Sequence, residues 1–163
     1  MYSLKLPDRP RLRLGVISDT HGLLRPEAVK VLSGSDLIIH AGDIGDPEIL
    51  EALRRLGPVA AVRGNMDKAP WAGNLPATEV VEAGAARLYV LHELFALDLD
   101  PAAAGFAGVI FGHTHEPALF RKDGVLFLNP GSAGPKRFAH PVSLALLHVN
   151  GPTLEAELIK LKI

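Results

Sequence analysis

Apolar residues in this chain fall in short runs rich in Val, Ile and Leu, and most runs are closed by Gly, Asp, Asn or Pro. Runs of that length read as strands and brief helices rather than long amphipathic helices. Leu12 to Ile17 is the first strand and ends at Ser18-Asp19. Pro26-Glu27 opens a helix reaching about Leu32, because Pro suits a first helical turn and Glu suits its dipole. Asp36 to His40 is the second strand. Asp46-Pro47-Glu48 reads as N-cap, first turn and helix start, with the helix closing near Gly57-Pro58. Val59 to Val62 is the third strand. Strand and helix alternate here, which predicts a parallel sheet with right-handed crossovers.

The second part reads differently. Glu79 to Glu82 and Arg87 to Leu91 are strands around Gly84. Val109 to Phe111, Ala118 to Arg121, Val125 to Leu128, Leu144 to Val149 and Leu154 to Leu161 follow. Lys122-Asp123-Gly124 and Asn150-Gly151 are hairpin turns. Only Pro101 to Ala104 reads as helical in this part. So many strands are best buried as two facing mixed β-sheets flanked by helices, an α/β fold. No repeat, low-complexity tract or linker divides residues 1–163, so one domain is expected.

Composition narrows the function. Seventeen Lys and Arg against eighteen Asp and Glu leave a net charge of −1, which disfavours a broad nucleic-acid or membrane footprint. There is no cysteine, so any metal site must use His, carboxylate and amide ligands. No run approaches the roughly 20 apolar residues of a membrane span, and Met1 to Pro7 does not resemble a secretion signal. A cytoplasmic location is the expectation.

One pattern recurs where strands end. Asp19-Thr20-His21 follows the first strand, Gly42-Asp43 the second and Gly64-Asn65 the third. His92 ends the 87–91 strand, and Gly112-His113-Thr114-His115 follows Val109 to Phe111. Ligands collect at the carboxyl ends of strands in such sheets. Taken singly, each piece is a common turn, cap or stray histidine. His113 and His115 carry most weight, because residues two apart in an extended segment face the same way. Together the pieces read as a site for two divalent cations. Cations about 3.5–4 Å apart repel, so a shared anionic ligand is needed, and Asp43 is the natural bridge. Neutral imidazoles and the Asn65 amide add ligands without cancelling the charge that binds phosphate. Gly42, Gly64 and Gly112 let the backbone turn close to the metals.

These motifs, with Ser18 and Gly22 around the first, Met66-Asp67 after Asn65, and Asn129-Pro130-Gly131-Ser132, resemble the calcineurin-like metallophosphoesterase family. The likeness is greatest to its small bacterial and archaeal phosphodiesterases of the YfcE type. The resemblance implies a sandwich of two sheets flanked by helices. It implies that Asp19, His21 and His115 hold one metal, that Asn65, His92 and His113 hold the other, and that Asp43 bridges. Asp43, Asn65 and His92 are then the catalytic set as well. It also implies hydrolysis of a small phosphate ester, a diester rather than a monoester, by in-line attack of a metal-held hydroxide. Mn is the first choice of metal, and mixed N and O ligands also accept Fe, Ni or Zn. Small phosphoesterases of this kind often pair, so a homo-oligomer, most simply a dimer, is expected.

Two positions depart from the family pattern. Met66 stands where many members have a His thought to protonate the leaving group. Glu93 stands where Gly is usual, and can cover the site, add a ligand or face solvent. Asp67 is a candidate to orient a ligand from behind. His40, inside an apolar strand, reads as a core residue and His148 as structural. His140, Lys136 and Arg137 read as loop residues. The alternative function is a phosphoesterase-like protein-binding scaffold with little or no catalysis, as in the retromer's phosphoesterase-like subunit. A nuclease is disfavoured by the neutral charge.

Overall fold

The computed structural model of the chain describes residues 2–68 and 70–163. It contains strands β1 (Tyr2–Lys5), β2 (Arg11–Ile17), β3 (Leu37–His40), β4 (Val59–Ala61), β5 (Thr78–Ala83) and β6 (Ala86–Leu91). These are followed by β7 (Gly108–Ile110), β8 (Ala118–Lys122), β9 (Val125–Asn129), β10 (Ser143–Asn150) and β11 (Thr153–Lys160). Two α-helices, α1 (Pro26–Leu32) and α2 (Pro47–Arg54), connect β2 to β3 and β3 to β4. α2 starts as its sequence predicts: Asp46 accepts a hydrogen bond from the Glu48 amide at its N-terminus.

The strands form two mixed sheets. One has five strands in the order β11-β10-β2-β3-β4, the other six in the order β1-β5-β6-β7-β9-β8. β2, β3 and β4 are parallel, as are β6, β7 and β9. The expected facing pair of sheets is therefore present. Period-two alternation builds the layer between them. Leu12, Leu14 and Val16 of β2 and Ala145, Leu147 and Val149 of β10 meet Val81, Leu88, Val90, Ile110 and Leu128 of the other sheet. Ile17, Ile38 and Leu144 point the other way, onto Ala28 and Leu32 of α1 and Ile49, Leu50 and Leu53 of α2.

Among the described residues, the flanking α-helices lie on the five-stranded side. Pro101 to Ala104 is a run of turns, not a helix. Four residues closed by Gly105, whose φ is +83°, are too few to offset the cost of helix nucleation. Residues 94–106 still cover the six-stranded sheet: Leu94, Leu97, Leu99 and Phe106 pack on Tyr89, Val109 and Phe127. A one-turn 3-10 helix, Leu94–Ala96, lies at the start of that cover, and another, Pro70–Asn74, precedes β5. β1 was not expected; it pairs parallel to β5 at the sheet edge. Among the described residues no helix is long and apolar enough to cross a membrane.

Candidate metal centre

β2, β3 and β4 run parallel, so the segments holding Asp19 and His21, Asp43, and Asn65 leave at one end of their sheet. β6 and β7 are parallel in the facing sheet and deliver His92, His113 and His115. Hydrogen bonds tie these segments together, one between the two sets and one within the second. The His113 amide donates to Asp19 Oδ2 at 3.1 Å, and the Gly112 amide to the His92 carbonyl at 2.9 Å.

All seven sequence-predicted residues lie around this junction. Asp19, His21 and His115 bring one ligand atom each within 4.8 Å of one another, and so do Asp43, His92 and His113. Asn65 joins the second group, its Oδ1 3.1 Å from His113 Nδ1. Two carboxylate oxygens face both groups, and Asp43 Oδ2 makes the closer approach to the second: it lies 3.7 Å from His21 Nε2 and 3.3 Å from His92 Nε2. Asp19 Oδ1 lies 3.4 Å from His115 Nε2 and 3.9 Å from His92 Nε2.

The backbone is bent to achieve this. Asp19, His21, Asp43, His113 and His115 all have positive φ, between 45° and 75°. Asp and His enter this region more readily than most side chains, yet each such residue costs on the order of 1 kcal/mol and persists only where its surroundings hold it. Glycines permit the close approach. A Cβ on Gly42 would stand 2.6 Å from His92 Nδ1, and one on Gly64 would collide with the Asp43 amide and carboxylate.

Residues behind the ligands hold them in place. The Ser18 hydroxyl donates to Asp19 Oδ2 at 2.7 Å, and the Met66 amide to Asp43 Oδ1 at 2.9 Å. Asp67 is buried and accepts from three amides, Gly64, Ile44 and Gly45, at 2.9, 3.2 and 3.0 Å. It therefore ties the Asp43 segment to the Asn65 segment rather than orienting a single ligand. Asn129 Nδ2 donates to the Gly112 carbonyl and to Thr114 Oγ1, and the Ser132 hydroxyl to the Asp19 carbonyl. The Asn-Pro-Gly-Ser turn thus braces the metal loops, as its sequence suggested.

His40 is fully buried, and its partners define its state. Its Nδ1 accepts from the Gly42 amide, and its Nε2 faces Thr20 Oγ1, whose proton goes to the Ile44 carbonyl. The ring is therefore neutral with hydrogen on Nε2. Burial, helped by the His92 charge and opposed by Asp19, Asp67 and Asp43, brings its pKa down to about 4.

The site carboxylates are held ionised. Burial pushes Asp19 and Asp43 up, but hydrogen bonds and histidine charge outweigh it and place both below the ordinary carboxylate value. For Asp19 these come from His21, His92, Ser18 and His115; for Asp43 from His92, the Met66 amide and His21. Burial pulls His92 down, while the neighbouring Asp43 and Asp19 carboxylates and the Ala41 carbonyl raise it overall. Burial lowers His115, with Arg137 and His21 adding to the effect.

The donor set suits a divalent cation. Asp19 Oδ1, His92 Nε2 and His115 Nδ1 are buried and have no hydrogen-bond partner. Buried polar atoms are normally satisfied, and Asp19 Oδ1 and His92 Nε2 face a cluster of carboxylate and imidazole donors that accepts such an ion. Glu93 joins neither ligand group; it is half-buried and precedes the 94–96 turn. His148 is exposed on the outer face of β10, 3.8 Å from Glu157. Lys136 and Arg137 are exposed, and His140 is half-buried in the same loop.

Thr20, relaying between His40 and Ile44, and Phe95, whose ring stands edge-on to His113 at 6.3 Å, were not singled out from the sequence. Thr20 lies inside the Asp-Thr-His motif, which was the available signal. Phe95 had none.

Comparison with known proteins agrees with this geometry. The model of the calcineurin-like phosphoesterase superfamily domain matches residues 12–151. A probable metallophosphoesterase of Methanothermobacter thermautotrophicus is 35% identical over 159 residues, covering 90% of this chain and 91% of its own. Phosphodiesterase YfcE of Escherichia coli (strain K12) is 29% identical over 168 residues, covering 83% of this chain and 87% of its own. Among solved structures, vacuolar protein sorting 29 from Cryptosporidium parvum superposes with a TM-score of 0.81 at 23% identity, over 94% of this chain and 93% of that one. The chain belongs to the calcineurin-like phosphoesterase superfamily.

Proposed function

We propose that this protein is a dinuclear-metal phosphoesterase that acts as a phosphodiesterase on a small phosphate ester. Asp19, His21 and His115 hold one cation, Asn65, His92 and His113 the other, and Asp43 is shared. One observation carries the reading: Asp43 Oδ2 stands within 3.7 Å of a nitrogen from the first group and 3.3 Å of one from the second.

The chain's own residues prepare the site. Ala41 fixes the His92 ring, whose Nδ1 lies 2.7 Å from its carbonyl, so that Nε2 faces Asp43. The Met66 amide holds the other Asp43 oxygen. Asn65 is exposed and His113 is not buried, so a phosphate ester approaches from their side. Two divalent cations bound there would supply Lewis-acid stabilisation of the phosphoryl oxygens and would activate water as the nucleophile. Mn²⁺ is the cation to try first.

The test is hydrolysis of matched phosphomonoesters and phosphodiesters by protein loaded with Mn²⁺, read beside its metal content. Diester hydrolysis that requires about two metals per chain supports the proposal. Fully loaded protein that hydrolyses neither class removes it.

A second reading is a protein-binding scaffold on the same fold. It draws on the likeness to vacuolar protein sorting 29, which at 23% identity speaks to the fold alone. It draws also on Met66, 59% exposed beside Asn65 with no proton to give. Seven filled ligand positions favour the enzyme.

A further inference from the structure

Phe95 is 80% exposed, although it follows the buried His92 by only three residues. Its backbone does not explain this as fraying. The 94–96 turn is closed by hydrogen bonds from the Ala96 amide to the Glu93 carbonyl and from the Leu97 amide to the Leu94 carbonyl, both 3.0 Å. Leu94 and Leu97 pack on the outer apolar layer of the six-stranded sheet. The turn is thus pinned on both sides of Phe95, and the ring is projected outward from it. It meets the His113 imidazole edge-on, with ring centroids 6.3 Å apart and planes at 72°.

Met66 is the second large apolar side chain on this edge. It follows Asn65, whose amide oxygen contacts His113, and its own amide is fixed to Asp43. Two apolar side chains, each leaving from an anchored backbone, therefore border the open Asn65–His113 end of the ligand cluster. Because Phe95 stands against His113, a ring placed on it would sit next to the ligand cluster. An isolated exposed Phe needs no explanation. One that is rigidly mounted against a ligand histidine at the entrance to the site does.

We propose that Phe95, with Met66 next to Asn65 on the same open end of the cluster, forms an aromatic subsite at the mouth of the metal centre, and that the substrate is a phosphate ester carrying a flat aromatic ring. This rests on the phosphoesterase reading and adds the substituent that the site selects. Stacking on an aromatic face tolerates many ring types, so the subsite distinguishes aryl or nucleobase esters from small alkyl esters.

The experiment titrates Mn²⁺-loaded protein with inorganic phosphate, methylphosphonate and phenylphosphonate by calorimetry, so that no turnover is involved. Wild type is expected to bind phenylphosphonate about tenfold more tightly than methylphosphonate. Phe95→Ala should bring that ratio close to one while leaving the affinity for inorganic phosphate and the melting temperature in place. Phe95→Trp should keep the preference. A wild-type ratio near one, or a ratio that survives in Phe95→Ala, overturns the subsite and leaves the phosphoesterase reading standing. If inorganic phosphate itself fails to bind the loaded wild type, the phosphoesterase reading fails and the subsite falls with it.

Discussion

His92 Nδ1 lies 2.7 Å from the Ala41 carbonyl oxygen, and this bond decides which nitrogen faces Asp43. A carbonyl oxygen only accepts, so Nδ1 carries the hydrogen and Nε2 presents its lone pair to the cluster. His92 belongs to the second ligand group alone. His92→Ala should therefore cost about one metal per chain and leave the Asp19, His21 and His115 group loaded. Elemental analysis of dialysed protein checks this, and loss of both metals would mean that the groups are not separable.

Asp67 gives a prediction about stability. Its buried carboxylate accepts three amides from two different segments. Hydrogen bonds to a charged acceptor contribute about 1.5–3 kcal/mol each, and they are not additive. Asp67→Ala should lose about 3 kcal/mol or more in urea unfolding, and Asp67→Asn less, because one oxygen remains. A loss below about 1 kcal/mol for Ala would show that the two segments hold together without it.

His40 should make the protein acid-sensitive in a defined window. Its pKa falls from 6.5 in the free side chain to about 4 in the fold. Between those values the unfolded chain binds a proton that the folded chain refuses, so stability is lost as pH falls from about 6.5 towards 4. The loss is on the order of 3 kcal/mol and levels off below both values. His40→Asn has no proton to bind there. In metal-free protein, its unfolding free energy should change with pH less steeply than wild type by about one proton across that window. Equal slopes would place the titration elsewhere.

Much of the site was legible because its residues occupy the ends of apolar runs. Asp19, Asp43, Asn65, His92 and His113 each follow a strand whose pattern marks its own boundary, and parallel order then gathers them. What was not legible depended on contacts distant in sequence. β1 is an edge strand paired with β5, more than seventy residues away, and Tyr2–Lys5 carries too little apolar character to announce it. Asp67 was singled out, but its grip on Gly45 and Ile44 appears only once β3 and β4 lie side by side. Phe95 reads in sequence as one more apolar residue in Leu94-Phe95-Ala96-Leu97. Only the packing of its two Leu neighbours leaves it outside. Pro101 to Ala104 misled because it is locally helix-compatible and too short to hold.

Met66 predicts how rate depends on the leaving group. Its backbone is fixed beside the ligands and its side chain is 59% exposed, so it occupies the open edge without a proton to donate. A positioned general acid contributes about 10²–10⁴-fold. Across aryl phosphodiesters of rising leaving-group pKa, wild type should slow steeply. Met66→His should slow less and gain about a hundredfold on the poorest leaving groups. A flat wild-type series with chemistry rate-limiting would identify another residue as the acid.

The proposed sharing of Asp43 between two metals is tested most directly by counting metals in Asp43→Asn. The wild type is expected to hold about two Mn²⁺ per chain. Losing partners behind a ligand alone costs about 10–100-fold in affinity or activity, so replacing the shared carboxylate should cost more. Asp43→Asn should weaken both sites, leaving well under one metal per chain after dialysis, and should lower diester hydrolysis by more than about a hundredfold. Two retained metals with hydrolysis intact would contradict a bridge at Asp43.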